Sequence, residues 1–307
     1  MNVLVTGASG FIGRNLLLAF PRDWNVFGTY NTNNTFEDFL REKNLSNVTP
    51  IKCDFTRASD VKSTISKLEN IDVCVHLVAD SDIRALVENP AGDIKNITTM
   101  LNFLEYFRGK KLIYFSSGAV YMGLKGKVSP SKKIDPTIPY AISKYACEQY
   151  LKFYHKEKKT FDDYVILRFF GAYGPYEPPR KISTRILETI IAGKDDFTVL
   201  GDGKNYIDFM YIEDAVEGIM KVIRSNKINL TLDFCYGNPL TINELVKKVA
   251  MVFGKKINIK HKGKAPEYIT FYASPKKMRQ LFGFIPKISL EEGFKKIHEI
   301  HVSESRL

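Results

Sequence analysis

A chain of 307 residues, 44% hydrophobic and 26% charged, can bury a sizeable core, which excludes a disordered or fibrous protein and favours two domains. Its longest apolar stretch, Val73 to Ala79, is far too short for the ~20 residues of a membrane span, so no membrane partner is expected. The formal charge of +11 comes from small lysine groups such as Lys110-Lys111, Lys156 to Lys159 and Lys255-Lys256, without interleaved aromatics. That pattern predicts solvated surface with a pull on anionic small molecules, and argues against nucleic acid.

Met1 leads straight into an apolar run with no basic segment and h-region ahead of it, so no signal peptide is expected and the cytoplasm is the default compartment. Asn2 to Thr6 reads as a buried parallel strand. Gly7, Gly10 and Gly13 follow at three-residue spacing, and Arg14 to Phe20 continues with helical periodicity. Strand, tight glycine turn and helix, in that order, make a dinucleotide site. The first glycine allows the turn, the second the approach of a pyrophosphate, and the third close packing of helix on strand.

Trp24 to Tyr30 and Val48 to Cys53 read as the next two strands, the latter ending at Asp54. Ser59 to Leu68 reads as a helix, Ile71 to Ala79 as a strand, Asn89 to Phe107 as a long amphipathic helix and Lys111 to Ser116 as a strand. Tyr140 to Lys158 is a second long helix and Tyr164 to Phe169 a further strand. This alternation predicts an α/β fold with a Rossmann-type, doubly wound parallel sheet. Past Gly171 the texture becomes turn-rich, with helices over Lys181 to Ala192 and Thr241 to Phe253 and short strands at Phe197 to Leu200 and Ile257 to Lys260. The helix Ile212 to Ser225 and strand Leu232 to Tyr236 are expected to return to the first sheet. The expected division is a dinucleotide-binding domain over 1–170, with 205–236 returning to its sheet, and a smaller mixed α/β substrate domain over 171–307. Cys53, Cys74, Cys147 and Cys235 lack metal-ligand spacing, so neither a metal site nor a disulfide framework is predicted.

Tyr140 and Lys144 stand four residues apart at a helix start and therefore share a face. An ammonium beside a phenol stabilises the phenolate, which can then take or return a proton at a hydroxyl or a carbonyl being reduced. Ser116 and Ser117 end a strand, where open α/β sheets place their ligands.

Taken together, Thr6-Gly-Ala-Ser-Gly-Phe-Ile-Gly13, His76-Leu-Val-Ala79, Phe115-Ser-Ser-Gly-Ala-Val-Tyr121, Pro139-Tyr-Ala-Ile-Ser-Lys144 and Leu167-Arg-Phe-Phe-Gly-Ala-Tyr-Gly-Pro175 resemble an extended short-chain dehydrogenase/reductase. The likeness is to the NAD(P)-dependent nucleotide-sugar epimerase/dehydratase family, and it continues through Gly201 to Asp214, Ala273-Ser-Pro-Lys-Lys-Met278 and Leu281 to Pro286. The resemblance implies that Tyr140 is the acid/base, that Lys144 lowers its pKa and holds the nicotinamide ribose, and that Ser117 bonds the reacting oxygen. It implies cofactor contacts from Gly7, Gly10, Phe11, Ile12, Gly13, Tyr30, Asp54, Phe55, Leu77, Val78, Ala79, Asn96, Ser116, Tyr140, Lys144 and Phe170. A nucleotide-sugar substrate would meet Ser81, Ser117, Gly118, Gly171, Arg180, Lys204 and Lys264. His76 falls where the family's histidine is structural. The resemblance also implies a homodimer through Asn89 to Phe107 and Tyr140 to Lys158, supported by Ile94, Ile97, Leu101 and Leu104 in one helix and Tyr145, Tyr150, Leu151 and Tyr154 in the other.

Several positions depart from the family pattern. Gly118-Ala119 stands where 4,6-dehydratases carry an acidic pair, and Gly118 where the fucose-pathway enzymes use a Cys, which leaves hydride chemistry at carbon 4 of the sugar. Gly171 replaces a substrate-binding Asn, and Ile207 an Arg. Lys264, in Lys264-Ala-Pro-Glu267, replaces another phosphate-binding Arg without its bidentate fork. The phosphate grip would be rebuilt from Lys204, Arg180 and Lys181. Tyr30 ends the second strand where NAD-specific members carry an acidic residue, which tips the balance between NADP and NAD toward NADP, with Arg14 in possible reach of its ribose phosphate. The expected activity is nucleotide-sugar 4-epimerisation. The alternative is an NADPH-dependent 4-reductase of a nucleotide 4-keto-6-deoxyhexose, and a non-catalytic dinucleotide-binding protein is less favoured because Ser117, Tyr140 and Lys144 are all present.

Overall fold

The computed structural model describes residues 1–265 and 268–304, so Pro266 and Glu267 of the Lys264-Ala-Pro-Glu267 run lie outside the described residues, as does the end of the 171–307 segment. Seven strands build the central sheet: β1 (Asn2–Thr6), β2 (Asn25–Tyr30), β3 (Val48–Lys52), β4 (Val73–His76), β5 (Gly109–Ser117), β6 (Phe161–Phe169) and β7 (Leu230–Phe234). Their spatial order is β7-β6-β5-β4-β1-β2-β3, and every neighbouring pair is parallel. This is a Rossmann-type doubly wound sheet. The strand order reverses at β1 and β4, and the crevice beyond their carboxyl ends is where such sheets bind ligands.

The central strands β1 and β4 and the middle of β5 are buried and largely apolar because both faces are covered. Val3, Val5, Val75, Ile113 and Phe115 face one core, while Leu4, Cys74, Leu112 and Tyr114 face the other. The helices are α1 (Phe11–Ala19), α2 (Phe36–Glu42), α3 (Ala58–Thr64), α4 (Ile83–Glu88), α5 (Ile94–Tyr106), α6 (Pro139–Phe153), α7 (Ile182–Ile191), α8 (Ile212–Arg224), α9 (Ile242–Val252), α10 (Lys276–Phe282) and α11 (Leu290–Glu304). Leu16 and Leu17 of α1, Ile219 and Ile223 of α8, and Phe294 of α11 fill the first core. Val61 of α3, Phe103 and Leu104 of α5, and Cys147 and Leu151 of α6 fill the second. All four cysteines are buried and unpaired. Among the described residues no helix is long and apolar enough to cross a membrane.

The structure departs from the sequence-based expectations at particular places. The apolar run Ile71 to Ala79 is a strand only over Val73–His76, and Leu77 to Ala79 leave the sheet as a half-buried loop. The long helix ending at Lys158 is α-helical to Phe153 and closes in a wider π turn, stopped by Lys159 at φ 51°. Helices α2, α4 and α10 have only six or seven residues, too few to show a helical period in the sequence. Lys111 is not a solvated surface lysine. Its buried Nζ donates to the carbonyls of Val222 and Ile223 at 2.8 and 3.2 Å and to that of Ser225, so it caps the end of α8 against β5.

His76 ends β4 inside the second core. Its ring stacks on Phe103 at 4.3 Å between centroids, and Nδ1 lies 2.9 Å from Thr6 Oγ1. That hydroxyl also accepts the amide of Leu77 at 3.2 Å, and the ring's Nε2 is buried without a hydrogen-bond partner among the described residues. Burial, aided by the charge of Lys144, lowers the imidazole pKa to about 3. An unfolded chain would take up this proton near pH 6.5, and the folded one would not. Stability therefore falls with pH through the window from about 6.5 to about 3, by about 1.4 kcal/mol per pH unit from this group alone. Denaturant unfolding of the wild type and of His76→Phe between pH 7 and 4.5 should show that difference in slope; parallel slopes would contradict a neutral buried imidazole.

Candidate active site

The glycine turn joins β1 to α1 by close backbone contacts. Gly7 has φ +71°, open to glycine at no steric cost, and Gly10 N donates to Gly7 O at 3.1 Å. A Cβ on Gly13 would stand 2.6 Å from the carbonyl oxygen of Ala8, so only glycine lets α1 sit so near the turn. β2 holds the turn from the side, with Thr29 Oγ1 accepting Gly7 N at 3.0 Å and Thr29 O accepting Ala8 N at 2.8 Å. Helix α1 begins at Phe11 and Ile12 without a side-chain cap and with no acidic residue in its first turn. Its leading amides are thus left for an anionic ligand, and the arrangement fits a dinucleotide pyrophosphate.

The catalytic candidates gather where β5 ends. Ser117 closes β5, and its Oγ accepts the amide of Ala119 at 3.1 Å, capping the single turn Gly118–Tyr121. Tyr140, only 8% exposed, opens α6 and packs with Ala119 and Leu86. One turn on, Lys144 Nζ donates to the carbonyl of Phe115 at 2.6 Å, lies 6.0 Å from the Tyr140 ring centre and 4.9 Å from that of Tyr114. Burial lowers the Lys144 pKa to about 8, so the ammonium is still charged at neutral pH.

Two buried hydrogen-bond networks support this set. Asn96 Oδ1 accepts Asp80 N at 2.7 Å, while its Nδ2 donates to Asp80 O and to Asp93 Oδ1. Asp93 in turn accepts Ser143 Oγ at 2.8 Å, so the loop after β4, carrying Leu77, Val78 and Ala79, is tied to α6 beside Tyr140 and Lys144. In the second network Arg168 grips Glu148 through two bonds of 2.9 and 2.7 Å and also donates to Tyr121 Oη, which donates to Asp233. Ser116 Oγ donates to Glu148 at 2.6 Å. Burial raises the Asp233 pKa to about 6.

The expected cofactor residues therefore divide. The hydroxyl of Ser116 donates to Glu148, the amide of Asn96 to Asp93, and the ring of Phe55 packs in the second core, each residue 4% exposed. Asp54 and Tyr30 stand at the carboxyl edge of β3 and β2, with Asp54 held below the usual carboxylate range by the hydroxyl of Thr56. Phe170 lies against Gly118, where a Cβ would meet its ring at 3.0 Å. Of the substrate candidates, Arg180 is brought to Ser81, at 3.5 Å, and pairs with Asp82 at 3.1 Å. Lys204 and Lys264 are exposed on neighbouring turns that meet where Gly201 N donates to Lys262 O. Gly171 has φ +126°, and Ile207 is half-buried in a short pairing with Leu240. Asp93, Ser143, Glu148, Arg168, Tyr121 and Asp233 were missed by the sequence reading; Tyr121, Ser143 and Arg168 lie within the quoted motifs, while Asp93, Glu148 and Asp233 lie outside them and carry no local signal.

The model of the NAD dependent epimerase/dehydratase family matches residues 3–231. The chain belongs to that family, and it is an enzyme. It is 30% identical to a UDP-glucuronate 4-epimerase of Thermodesulfobacterium geofontis over 95% of this chain and 94% of the relative. Among solved structures it is similar to the UDP-glucuronic acid 4-epimerase of Bacillus cereus, seen as a variant with UDP-4-deoxy-4-fluoro-glucuronic acid and NAD. That match has a TM-score of 0.88 and 25% identity, covering 99% of this chain and all of the other. It is also similar to the UDP-glucose 4-epimerase of Thermotoga maritima with UDP-glucose, at TM-score 0.87, 26% identity and the same coverage.

For an epimerase/dehydratase enzyme the Gly118 contact has a chemical consequence: a carboxylate side chain there would first have to displace Phe170. The buried Lys144 carries an energetic one. Its ammonium is penalised by desolvation, so Lys144→Met, which keeps the stem but removes the charge, should leave the melting temperature unchanged or raise it. A calorimetric fall of many degrees in that variant would contradict the assignment.

Proposed function

We propose that this chain is a nucleotide-sugar 4-epimerase acting on a nucleoside diphosphate hexose or hexuronate. The observation that carries the reading is the convergence at the end of β5, which carries Ser117, of Tyr140 packed on Ala119 and Lys144 bonded to the Phe115 carbonyl, with Gly118 packed on Phe170 where an eliminating acid would stand. Likeness to UDP-glucuronate and UDP-glucose 4-epimerases along nearly the whole chain supports it. In the same reading, residues 1–170 with 205–236 hold the dinucleotide and 171–307 hold the nucleotide sugar.

The glycine turn and the first amides of α1 would hold the pyrophosphate of NAD or NADP, with Leu77 to Ala79 and Lys144 nearer the nicotinamide. When bound, the dinucleotide supplies reversible hydride exchange at the sugar carbon. Tyr140 takes the proton of the C4 hydroxyl as the alcohol becomes a ketone, and returns it when the alcohol re-forms with the opposite configuration. Lys144 favours the phenolate through its charge, and its bond to the Phe115 carbonyl fixes where that charge stands. Ser117, positioned by the Ala119 amide, bonds the C4 oxygen. Arg180, with Lys181, Lys204 and Lys264, would draw in the diphosphate. The same groups could serve a 4-keto-reductase, which would consume free NADPH where an epimerase regenerates its dinucleotide at each turnover.

Tyr140→Phe keeps the ring and its packing but removes the proton that moves. On a panel of UDP-hexoses and hexuronates its turnover should fall by ~10² to 10⁴ with dinucleotide binding retained. Near-full activity in that variant would sink the mechanism.

A homodimer is proposed as well. Leu104 and Leu151 are fully buried in the second core and do not contribute, whereas Ile94 is 67%, Ile142 50%, Phe153 48% and Tyr150 40% exposed on α5 and α6. Light scattering should give a dimer at micromolar concentration and a monomer for Ile142→Glu with Phe153→Glu. A monomeric wild type would rule it out.

A further inference from the structure

Dinucleotide folds select NAD through a carboxylate at the end of the second strand, which binds the adenosine ribose hydroxyls and repels a ribose phosphate. Here β2 ends in Tyr30, and by sequence alone that absence favours NADP. The structure puts a carboxylate back from another element. Tyr30 Oη donates to Glu37 Oε1 in the first turn of α2, and the Tyr30 ring packs on Phe36 with centroids 5.4 Å apart. On the other side of the same edge, the Asn31 side chain bonds Asp54, whose Oδ1 also accepts Thr56 N at 2.9 Å. Tyr30 and Asn31, the residues these two carboxylates bond, directly follow Thr29, which holds Gly7 and Ala8 of the glycine turn.

The arginine that could attract a ribose phosphate is engaged elsewhere. Arg14 Nε donates to Ser9 O at 3.1 Å, and its Nη2 to Asn33 Oδ1 at 3.4 Å and Thr35 Oγ1 at 3.1 Å. Its guanidinium lies 4.8 Å from the Phe39 ring centre and 5.6 Å from that of Tyr176. Asn33 also donates to Ser9 O, so the segment leading into α2 is clamped onto the turn and Glu37 is held in place.

We propose that Glu37, presented by Tyr30, makes this chain select NAD over NADP. This rests on the reading that the glycine turn holds a dinucleotide. It reverses the expectation drawn from Tyr30 alone, because the charge that repels a ribose phosphate comes from α2 and not from the strand.

The test is a competition. Purified protein is equilibrated with equimolar NAD⁺ and NADP⁺, and the bound pool is quantified by chromatography and mass after denaturation. The wild type should hold NAD over NADP by about tenfold or more, the scale of a like-charge contact near a surface. Glu37→Gln keeps an acceptor for Tyr30 but removes the charge, and should lower that ratio about tenfold through a gain in NADP. Tyr30→Phe keeps the ring packing, frees Glu37 and should also lower the ratio. Asp38→Asn, on the same turn but without the Tyr30 bond, should not change it. Circular dichroism melts check that all three variants fold. A ratio unchanged in Glu37→Gln, or a wild type that prefers NADP, overturns the proposal while leaving the dinucleotide site standing. A wild type that binds neither dinucleotide overturns both.

Discussion

The close approach of Gly13 to Ala8 is the contact on which the rest depends. With no Cβ at Gly13, α1 begins directly over the turn that ends β1, and its leading amides face the crevice between β1 and β4. Any side chain at that point would push the helix away from the sheet, because the atoms it would meet are backbone and cannot rotate aside. The positive φ at Gly7 and the grip of Thr29 on the turn serve the same placement. The helix that carries Tyr140 and Lys144 lies across the sheet from this point, so the two halves of the site are aligned by the sheet itself.

Around that frame the protein holds groups that are costly to bury. Lys144 stays in the interior because the Phe115 carbonyl and the Tyr114 face partly replace its water, yet its lowered pKa shows that the replacement is incomplete. In the proposed mechanism, where the ammonium stands next to the Tyr140 phenol, that penalty is stability traded for function. The ion pair of Arg168 with Glu148 is better satisfied, since its remaining donors and acceptors reach Tyr121 and Ser116. Removing one partner would strand the other charge, which makes this network a rigid footing for the turn Gly118–Tyr121.

The fold was legible because its signals are local. β1, the glycine spacing and the alternation of apolar runs with amphipathic segments need no knowledge of distant contacts. The Tyr140 and Lys144 pair could be read for the same reason, through its spacing on one helix. What stayed hidden depends on partners far apart in sequence. Lys111 looks like any surface lysine until the carbonyls of α8, 111 to 114 residues away, close over it. Ser116 reads as a ligand contact beside Ser117, yet strand alternation turns its hydroxyl inward to Glu148. Leu104 and Leu151 read as dimer surface and are core. Glu37 lies on a seven-residue helix that leaves no periodic trace, so the carboxylate it presents beside Tyr30 could not be foreseen.

The central claim is that hydride leaves and returns to the same sugar carbon within one active site, so turnover consumes no external dinucleotide. Proton NMR of UDP-glucuronic acid or UDP-glucose incubated with the purified protein, with no dinucleotide added, addresses this directly. The account predicts a growing signal from the C4 epimer, ending in a fixed mixture of the two sugars at constant total. Failure to epimerise any nucleotide hexose, together with one-for-one oxidation of added NADPH as a 4-keto sugar is reduced to a single alcohol, would contradict it.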